Sequence, residues 1–286
     1  MDDDSRNSWR LRPYAAFCTV VGLALMATPL LANNHDNRGP QAGAACAALP
    51  DHGVLTSVLE GVVAGGTAGL QNDMWATVVN RDGVVCAVTF SGPNRAAQWP
   101  GSRAISAQKA NTAAAFTLSR GDGGAFPGLA LSTANLWAAT QPGGSLFGLQ
   151  FSNPVDPAVA YRGNPRNYGE RNDPMVGHRI GGVNVFGGGL GLYDSTGERI
   201  GGLGLSGDSS CADHFQAWKV RHGLGLDFVP TGLSPTNDDN IIFDVVDDVG
   251  GNPESQGGFG HPTCLDPGAE RAEADILPEF YPISGR

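Results

Sequence analysis

The side chains best suited to chemistry meet where a glycine-rich strand pattern gives way to a helix pattern. Cys211, Asp213 and His214 follow the Ser-Gly-Asp run of residues 206–208 within a few positions. Residues 208–210 are of the types that cap helix N-termini, and a carboxylate in the first turn suits the positive end of the helix dipole. The sequence therefore predicts that a strand delivers a thiol, a carboxylate and an imidazole to one corner of the fold.

Two histidines are candidate ligands for a metal such as a haem iron. His214 follows Asp213, whose carboxylate can orient an imidazole that binds a metal. His178 lies in a loop beside Arg179, and a guanidinium can pair with a haem propionate. The competing interpretations are a capping-region histidine at His214 and an ordinary loop residue at His178. His261 is predicted to lie in a turn near a disulfide.

Two cations on one predicted helix are candidate partners for a carboxylate of a ligand. Lys109 is one of only two lysines in the chain, and Arg103 lies about one and a half turns before it. An ammonium and a guanidinium can both bind a carboxylate. The alternative is that both belong to a solvated helix face.

Three familiar motifs are weak or absent. Residues 202–207 fit G-x-G-x-x-G, but their surroundings indicate an antiparallel hairpin rather than the parallel βαβ unit of a dinucleotide fold. Residues 204–208 miss the G-x-S-x-G pattern by one position. A hydrolase that uses a serine with His214 or His178 remains an alternative. No two cysteines form a C-x-x-C pair, so the spacing does not predict a zinc site.

The N-terminal segment has features of a chain that is exported from the cytoplasm. Three arginines in the first 12 residues precede an apolar run, residues 14–31, that ends at Ala32. This arrangement is typical of a secretory signal peptide, although the run is nearly long enough for an uncleaved membrane anchor. The net charge of −10 argues against nucleic acid or an anionic membrane as a partner.

The number of cysteines also fits an oxidising compartment outside the cytoplasm. Removal of residues 1–32 leaves four cysteines, an even number that predicts two disulfides. Cys46 precedes the first predicted helix, and Cys86 lies near the start of the second strand, which should return beside the start of that helix. The layout therefore favours Cys46–Cys86, and Cys211–Cys264 for the remaining pair.

The order of elements predicts an α+β fold, in which helices pack against an antiparallel sheet of about five strands. An Asp-Gly turn at residues 82–83 indicates a hairpin, and a proline-rich loop covers residues 142–177. Helices are predicted at 54–69, 102–118, 129–140 and 209–222, and strands at 74–79, 84–90, 183–186, 189–193 and 199–205, with a strand-like run at 241–246. The predicted organisation is a signal peptide (1–32), a flexible lead (33–53), the α+β domain (54–229) and an irregular extension that wraps it (230–286).

Several of these segments resemble the GlcG/HbpS family of haem-binding proteins, which is related to the C-terminal domain of PduO-type proteins. The matching sequences are VVNRDG at 78–83, AQKANTA at 107–113, GGVNV at 181–185 and IGGLGLSG at 200–207, followed by Asp213. The resemblance spans roughly residues 54–226. It implies a small domain that assembles as an oligomer and holds haem or a similar tetrapyrrole.

We therefore expect a secreted or periplasmic haem-binding protein that acts as a carrier, scavenger or sensor. The alternatives are an enzyme of the same fold that acts on a small molecule in a Lys109/His214 pocket, and a structural partner protein without a ligand. The expected site lies where the proline-rich loop, the Lys109 helix and the Asp213 corner converge, with Phe186, Phe215 and Trp218 as its walls. Its predicted residues are His214 and His178 as metal ligands, with Lys109, Arg103, Arg179 and Asp213.

Overall fold

A computed structural model describes residues 42–247 and 253–285 of the chain. The predicted signal peptide (1–32) and residues 33–41 of the predicted lead lie outside these ranges. The helices are α1 (Ala42–Ala45), α2 (His52–Ala64), α3 (Ser102–Ala115), α4 (Leu149–Ser152), α5 (Pro157–Ala160), α6 (Ser210–Gly223) and α7 (Pro267–Phe280). The strands are β1 (Trp75–Asn80), β2 (Val85–Phe90), β3 (Gly189–Tyr193), β4 (Arg199–Ser206), β5 (Val245–Asp247) and β6 (Pro253–Ser255). None of the helices in the described ranges has the length and apolar character that crossing a membrane requires.

The centre of the fold is a four-stranded antiparallel sheet in the order β2-β1-β4-β3. The strands β5 and β6 form a separate antiparallel pair. The predicted α+β class with an antiparallel sheet is confirmed, with four strands in the main sheet. The β1–β2 turn forms as its sequence indicates, because Gly83 adopts a positive φ of 76° and the Asn80 side chain accepts the N–H groups of Asp82 and Val84.

The two faces of the sheet carry different side chains, since successive residues of a strand point to opposite sides. Ala76 and Val78 of β1 lie in one apolar core with Leu203 and Leu205 of β4. Residues of α2, α6 and α7 fill the rest of that core. Val79 faces the other side, where alanines of α3 make a second, smaller core. The sheet is therefore covered by helices on both faces.

Helix α3 approaches the sheet through glycines. A Cβ atom on Gly204 would lie 2.0 Å from the carbonyl oxygen of Ser106, and one on Gly202 would lie 2.2 Å from that of Ala110. Any side chain at these two positions would push the helix away from β4. The glycines of this strand are thus required for packing. They let Lys109 approach the sheet so closely that its Cβ atom would lie 3.0 Å from a Cβ atom added to Gly204.

Two predicted elements are wrong. Residues 129–140 form turns and a 3₁₀ turn at Ala138–Thr140 rather than a helix, because Ser132 and Asn135 bond each other's backbone N–H groups and so compete with helical bonds. Residues 183–186 are irregular. The N–H of Val183 bonds to the carbonyl of Asn153 and that of Asn184 to the Thr112 hydroxyl, which leaves no ladder for a strand.

Helix α7 was missed in the segment expected to be irregular. Asp266 caps it by accepting the N–H groups of residues 268 and 269, and Pro267 occupies its first position, where the missing N–H costs nothing. Leu277 of this helix is completely buried in the larger core. Of the strand-like run predicted at 241–246, only residues 245 and 246 belong to β5.

Two disulfides tie these layers together. Cys46 is bonded to Cys86 and Cys211 to Cys264, with Cα atoms 5.6 Å and 6.1 Å apart. These are the pairings that the layout of the sequence favours. The second disulfide fastens the C-terminal segment to the first turn of α6, at the corner that the sequence singles out.

Candidate functional site

The corner between β4 and α6 contains a buried ion pair. The Lys109 ammonium lies 2.6 Å from Oδ2 of Asp213 and also donates to the carbonyl of Leu205. Oδ1 of Asp213 accepts the N–H groups of Gly207 and Asp208. One carboxylate therefore fastens helix α3, the end of β4 and the first turn of α6 to one another.

Burial opposes charge on both members of this pair. It raises the pKa of Asp213 to about 6, against the lowering influence of Lys109 and of the two N–H donors. It lowers the pKa of Lys109, against the stabilising charge of Asp213. The half-buried ring of Phe186, 4.7 Å from the ammonium, covers the pair.

His214 lies beside this pair and is completely buried. Its Nε2 lies 3.0 Å from the backbone nitrogen of Ile241 and 3.3 Å from Oδ1 of Asn240, while Nδ1 has no hydrogen-bond partner among the residues that the structure describes. Burial lowers its pKa to about 3, helped by the positive charge of Arg221. The ring is therefore neutral at physiological pH.

His261, which the sequence predicts in a turn near a disulfide, also reaches this corner. Its Nδ1 lies 2.6 Å from the carbonyl of Pro262, and Nε2 lies 3.4 Å from the N–H of Gly187. Burial lowers its pKa to about 4. The Cys211–Cys264 pairing could have indicated this position, because it places residues just before Cys264 beside the start of α6.

His178 and Arg179 lie at the other end of the sheet. The backbone carbonyl of His178 accepts the N–H of Val85 at the start of β2. Val85 pairs with Val79, whereas the residue of β1 that pairs with Ser206 at the Asp213 corner is Trp75. Four strand residues span about 13 Å, so the structure does not bring these two residues to the corner.

The imidazole of His178 is nevertheless accessible enough to bind a metal. The ring is partly exposed, and burial together with the charge of Arg162 lowers its pKa. Arg162 and Arg179 are both exposed. Arg162 was not predicted, since nothing in its own sequence context marks it out. We call His178, Arg162 and Arg179 the edge group.

Arg103 belongs neither to the corner of Lys109 and Asp213 nor to the edge group. Its guanidinium makes a bidentate pair with Asp173 and donates to the carbonyl of Ala160, and the pair is buried. The ring of Tyr168 lies 3.6 Å from the guanidinium carbon. Arg103 thus holds the proline-rich loop against α3 and is not available to a ligand.

The structure therefore divides the predicted site into three parts. Lys109, Asp213 and His214 come together in the interior, joined by Asn240 and His261. The edge group contains His178 and Arg179, and Arg103 pairs with Asp173. Of the predicted walls, Phe186 covers Lys109, whereas Phe215 and Trp218 are fully buried in the larger core.

Two cavities lie near the C-terminal segment. One, of about 340 Å³, has among its lining residues Asn240 and Ile241, which lie within hydrogen-bond distance of Nε2 of His214. The other, of about 680 Å³, lies between residues 138–145 and 253–258. Both volumes are in the range of small-molecule sites, but none of the six predicted site residues lines either cavity.

The interior residues around Lys109 and the edge group differ in how well they suit a haem. In the interior, Lys109 is neutralised by Asp213, and the ring of His214 is enclosed on all sides. These residues do not fit haem without a rearrangement of the core. The edge group is the more accessible set, because His178 is partly exposed and Arg162 and Arg179 are exposed, and an imidazole and guanidinium groups are the types of side chain that bind iron and propionates.

Comparisons with known proteins give matches among solved structures alone, since no family model and no curated protein matches the chain. PduOC, solved as a haem complex, is 22% identical over 62% of this chain and 96% of its own, with a TM-score of 0.41. Klebsiella pneumoniae protein ORFY is 20% identical over 63% of this chain and 89% of its own, with a TM-score of 0.40. HbpS is 14% identical over 60% of this chain and 86% of its own, with a TM-score of 0.35. Each of these three similarities covers 60–63% of this chain at 14–22% identity.

Proposed function

We propose that the protein binds haem or a similar tetrapyrrole outside the cytoplasm, as a carrier, scavenger or sensor, and that His178 is the iron ligand. The observation that carries this proposal is the edge group. An iron ligand must be a neutral imidazole, and the lowered pKa of His178 keeps its ring in that form at pH 7. Arg162 and Arg179 supply two cations for two propionates.

Two features that do not depend on haem support a location outside the cytoplasm. Two disulfides suit an oxidising compartment, and the N-terminal sequence has the pattern of a cleaved signal. Mass spectrometry of the exported protein should therefore show a chain that lacks about the first 32 residues. An exported protein that still begins at Met1 would contradict cleavage.

The competing enzyme hypothesis requires a reactant to reach Lys109 or His214. Both side chains are completely buried, and the contacts around them are internal to the fold. A site of this kind suits a structural role better than turnover. Binding at the surface is therefore the function that the geometry supports.

Titration with hemin tests the proposal. The wild-type protein should give a saturable, shifted Soret band. His178→Ala should lose or move this band, because the iron loses its ligand. Arg162→Gln and Arg179→Gln should leave the band in place and raise the dissociation constant by about tenfold or more, as expected for the loss of a charged hydrogen bond.

His222→Ala is the matched control, since this partly exposed histidine pairs with Asp227 and lies outside the edge group. It should bind hemin as the wild type does. If the wild-type protein gives no saturable band, the haem function is wrong and a ligand-free partner protein becomes the better hypothesis. If His178→Ala binds as the wild type does, the assignment of the ligand is wrong.

A further inference from the structure

The disulfide at the start of α6 has an imidazole beside it. The two sulfur atoms and one ring nitrogen of His261 all lie within 4.8 Å of one another. Cys211 and His261 are buried, and Cys264 is partly exposed. Two thiolates and one imidazole are a ligand set that zinc takes in proteins, with a fourth position left for water.

The tautomer of His261 is one that metal-binding histidines commonly have. Its Nδ1 lies 2.6 Å from the carbonyl oxygen of Pro262, which can only accept, so the proton is on Nδ1. Nε2 then carries the lone pair, and its contact with the N–H of Gly187 is long, at 3.4 Å. Histidines that bind metals commonly donate their other N–H to a backbone carbonyl in this way.

The sulfur of Cys264 lies in surroundings that favour a thiolate. It accepts the N–H of Cys211 at 3.2 Å and faces the hydroxyl of Ser210 at 3.3 Å, at the N-terminus of a 14-residue helix. These two donors would stabilise a thiolate, which is the form of cysteine that binds a metal. The sulfurs of Cys86 and Cys211 face the carbonyl oxygens of Val84 and Pro262 at 3.5 Å and 3.6 Å, so Cys264 has the donors that the other two lack.

We propose that reduction of the Cys211–Cys264 disulfide creates a binding site for one zinc ion, formed by Cys211, Cys264 and His261. The reductant is a dithiol, whose thiolate attacks Cys264, the more exposed of the two cysteines, and expels the Cys211 thiolate; the Cys264 thiolate leaves in the second step. The S–S bond breaks, the mixed disulfide is resolved by the second thiol, and the dithiol leaves as its own disulfide while both cysteines gain a proton. Zinc then replaces those two protons, which pass to solvent.

The assembled site is electrically balanced. Two thiolates neutralise the dication, and the imidazole adds no charge, which suits a largely buried position. Once the S–S bond is broken, the sulfurs can move apart to the roughly 3.8 Å that tetrahedral zinc requires. The disulfide and the zinc site are thus two alternative links between α6 and the C-terminal segment.

Titration with Zn²⁺, and with Co²⁺ as a spectroscopic substitute, tests this proposal on the exported protein before and after treatment with a dithiol. The reduced protein should bind one equivalent and show a thiolate-to-cobalt charge-transfer band, whereas the oxidised protein should show neither. His261→Ala should weaken zinc binding by on the order of tenfold or more, given that even outer partners of a ligand matter this much. Cys264→Ser should remove the band.

The other disulfide provides the matched control. The double variant Cys46→Ser/Cys86→Ser lacks two of the four thiols but should keep the zinc stoichiometry and the cobalt band after reduction. Near-ultraviolet circular dichroism of each reduced variant shows whether it is folded. A folded, reduced wild-type protein that binds no zinc would overturn the proposal. So would zinc binding that His261→Ala leaves unchanged, or that the Cys46/Cys86 variant abolishes.

Discussion

Buried charges at single residues hold distant parts of this chain together. Lys109 pairs with Asp213, Arg103 with Asp173 and Arg221 with Asp239, and all six side chains are nearly or completely inaccessible. Each pair joins segments that are far apart in the sequence or in different layers. Loss of one partner leaves an unpaired charge in the interior, which is more damaging than loss of the whole pair.

The first prediction concerns Lys109. Lys109→Met should lower the free energy of unfolding by about 3–5 kcal/mol, because it leaves the Asp213 carboxylate buried without its counter-charge. The double variant Lys109→Met/Asp213→Asn should recover part of this loss, since a neutral amide oxygen can still accept the N–H groups of Gly207 and Asp208. Urea unfolding of the three proteins measures both effects.

The exposed pair between Arg81 and Glu198 is the control for that series. Its side chains are 55% and 43% exposed, so Arg81→Met should cost less than about 1 kcal/mol. A loss for Lys109→Met as small as that for Arg81→Met would show that the interior pair does not stabilise the corner.

The second prediction is an acid-dependent loss of stability. Burial lowers the pKa of His214 to about 3 and that of His261 to about 4, below the ordinary value of 6.5. Below pH 6.5 these histidines become protonated in the unfolded chain but stay neutral in the folded protein. Their contribution to stability is therefore present above pH 6.5 and is lost as the pH falls. Asp213 acts in the opposite sense, because its raised pKa lets the folded state bind a proton between about pH 4 and 6.

His261→Gln isolates one of these contributions. Between about pH 4.5 and 6, the slope of unfolding free energy against pH should be lower in this variant by about 1.4 kcal/mol per pH unit, the value for one proton. Chemical denaturation at several pH values gives both slopes. Equal slopes in the variant and the wild type would mean that His261 titrates normally in the folded protein.

At the scale of elements, the contact between α3 and β4 depends on the absence of side chains. Gly204→Ala places a methyl group against the carbonyl of Ser106 and should cost about 1–3 kcal/mol or more, because backbone atoms on both sides would have to move. The same shift would displace Lys109 from Asp213. Thermal and urea unfolding measure the loss.

Gly61→Ala is the matched control for this prediction. Gly61 lies in α2, and a Cβ atom there would meet nothing within 4 Å. The substitution should stabilise the protein by about 0.5–1 kcal/mol, since alanine favours a helix over glycine. Similar effects of the two substitutions would argue that the close packing of α3 on β4 is not important for stability.

At the scale of the whole molecule, the C-terminal segment completes the larger core. Leu277 is completely buried there, and Trp218 of α6 donates its indole N–H to the carbonyl of Tyr281. Leu277→Ala should therefore cost about 2–5 kcal/mol, as expected for a cavity in a core. Ile276→Ala, at the neighbouring position that is 45% exposed, should change stability by less than about 0.5 kcal/mol. Equal losses would mean that α7 does not pack as described.

The sequence by itself determined the features that depend on near neighbours. The Asp-Gly turn, the capped start of α6 and the amphipathic helix α2 each form from contacts within a few residues. The disulfide pairs could also be predicted, since the order of a helix and two strands limits which cysteines can meet. Helix α7 carried a similar local mark, the Asp-Pro start at residues 266–267.

Only the tertiary structure decided which candidate residues meet. Lys109 reaches Asp213 across 104 residues of sequence, whereas His178 lies at the opposite end of the sheet although its motif suggested the same site. Strand register and the path of a long loop set these distances, and neither leaves a pattern in the local sequence. The burial of His261 beside α6 was also decided by the tertiary structure, although the predicted Cys211–Cys264 disulfide already placed the neighbouring segment there.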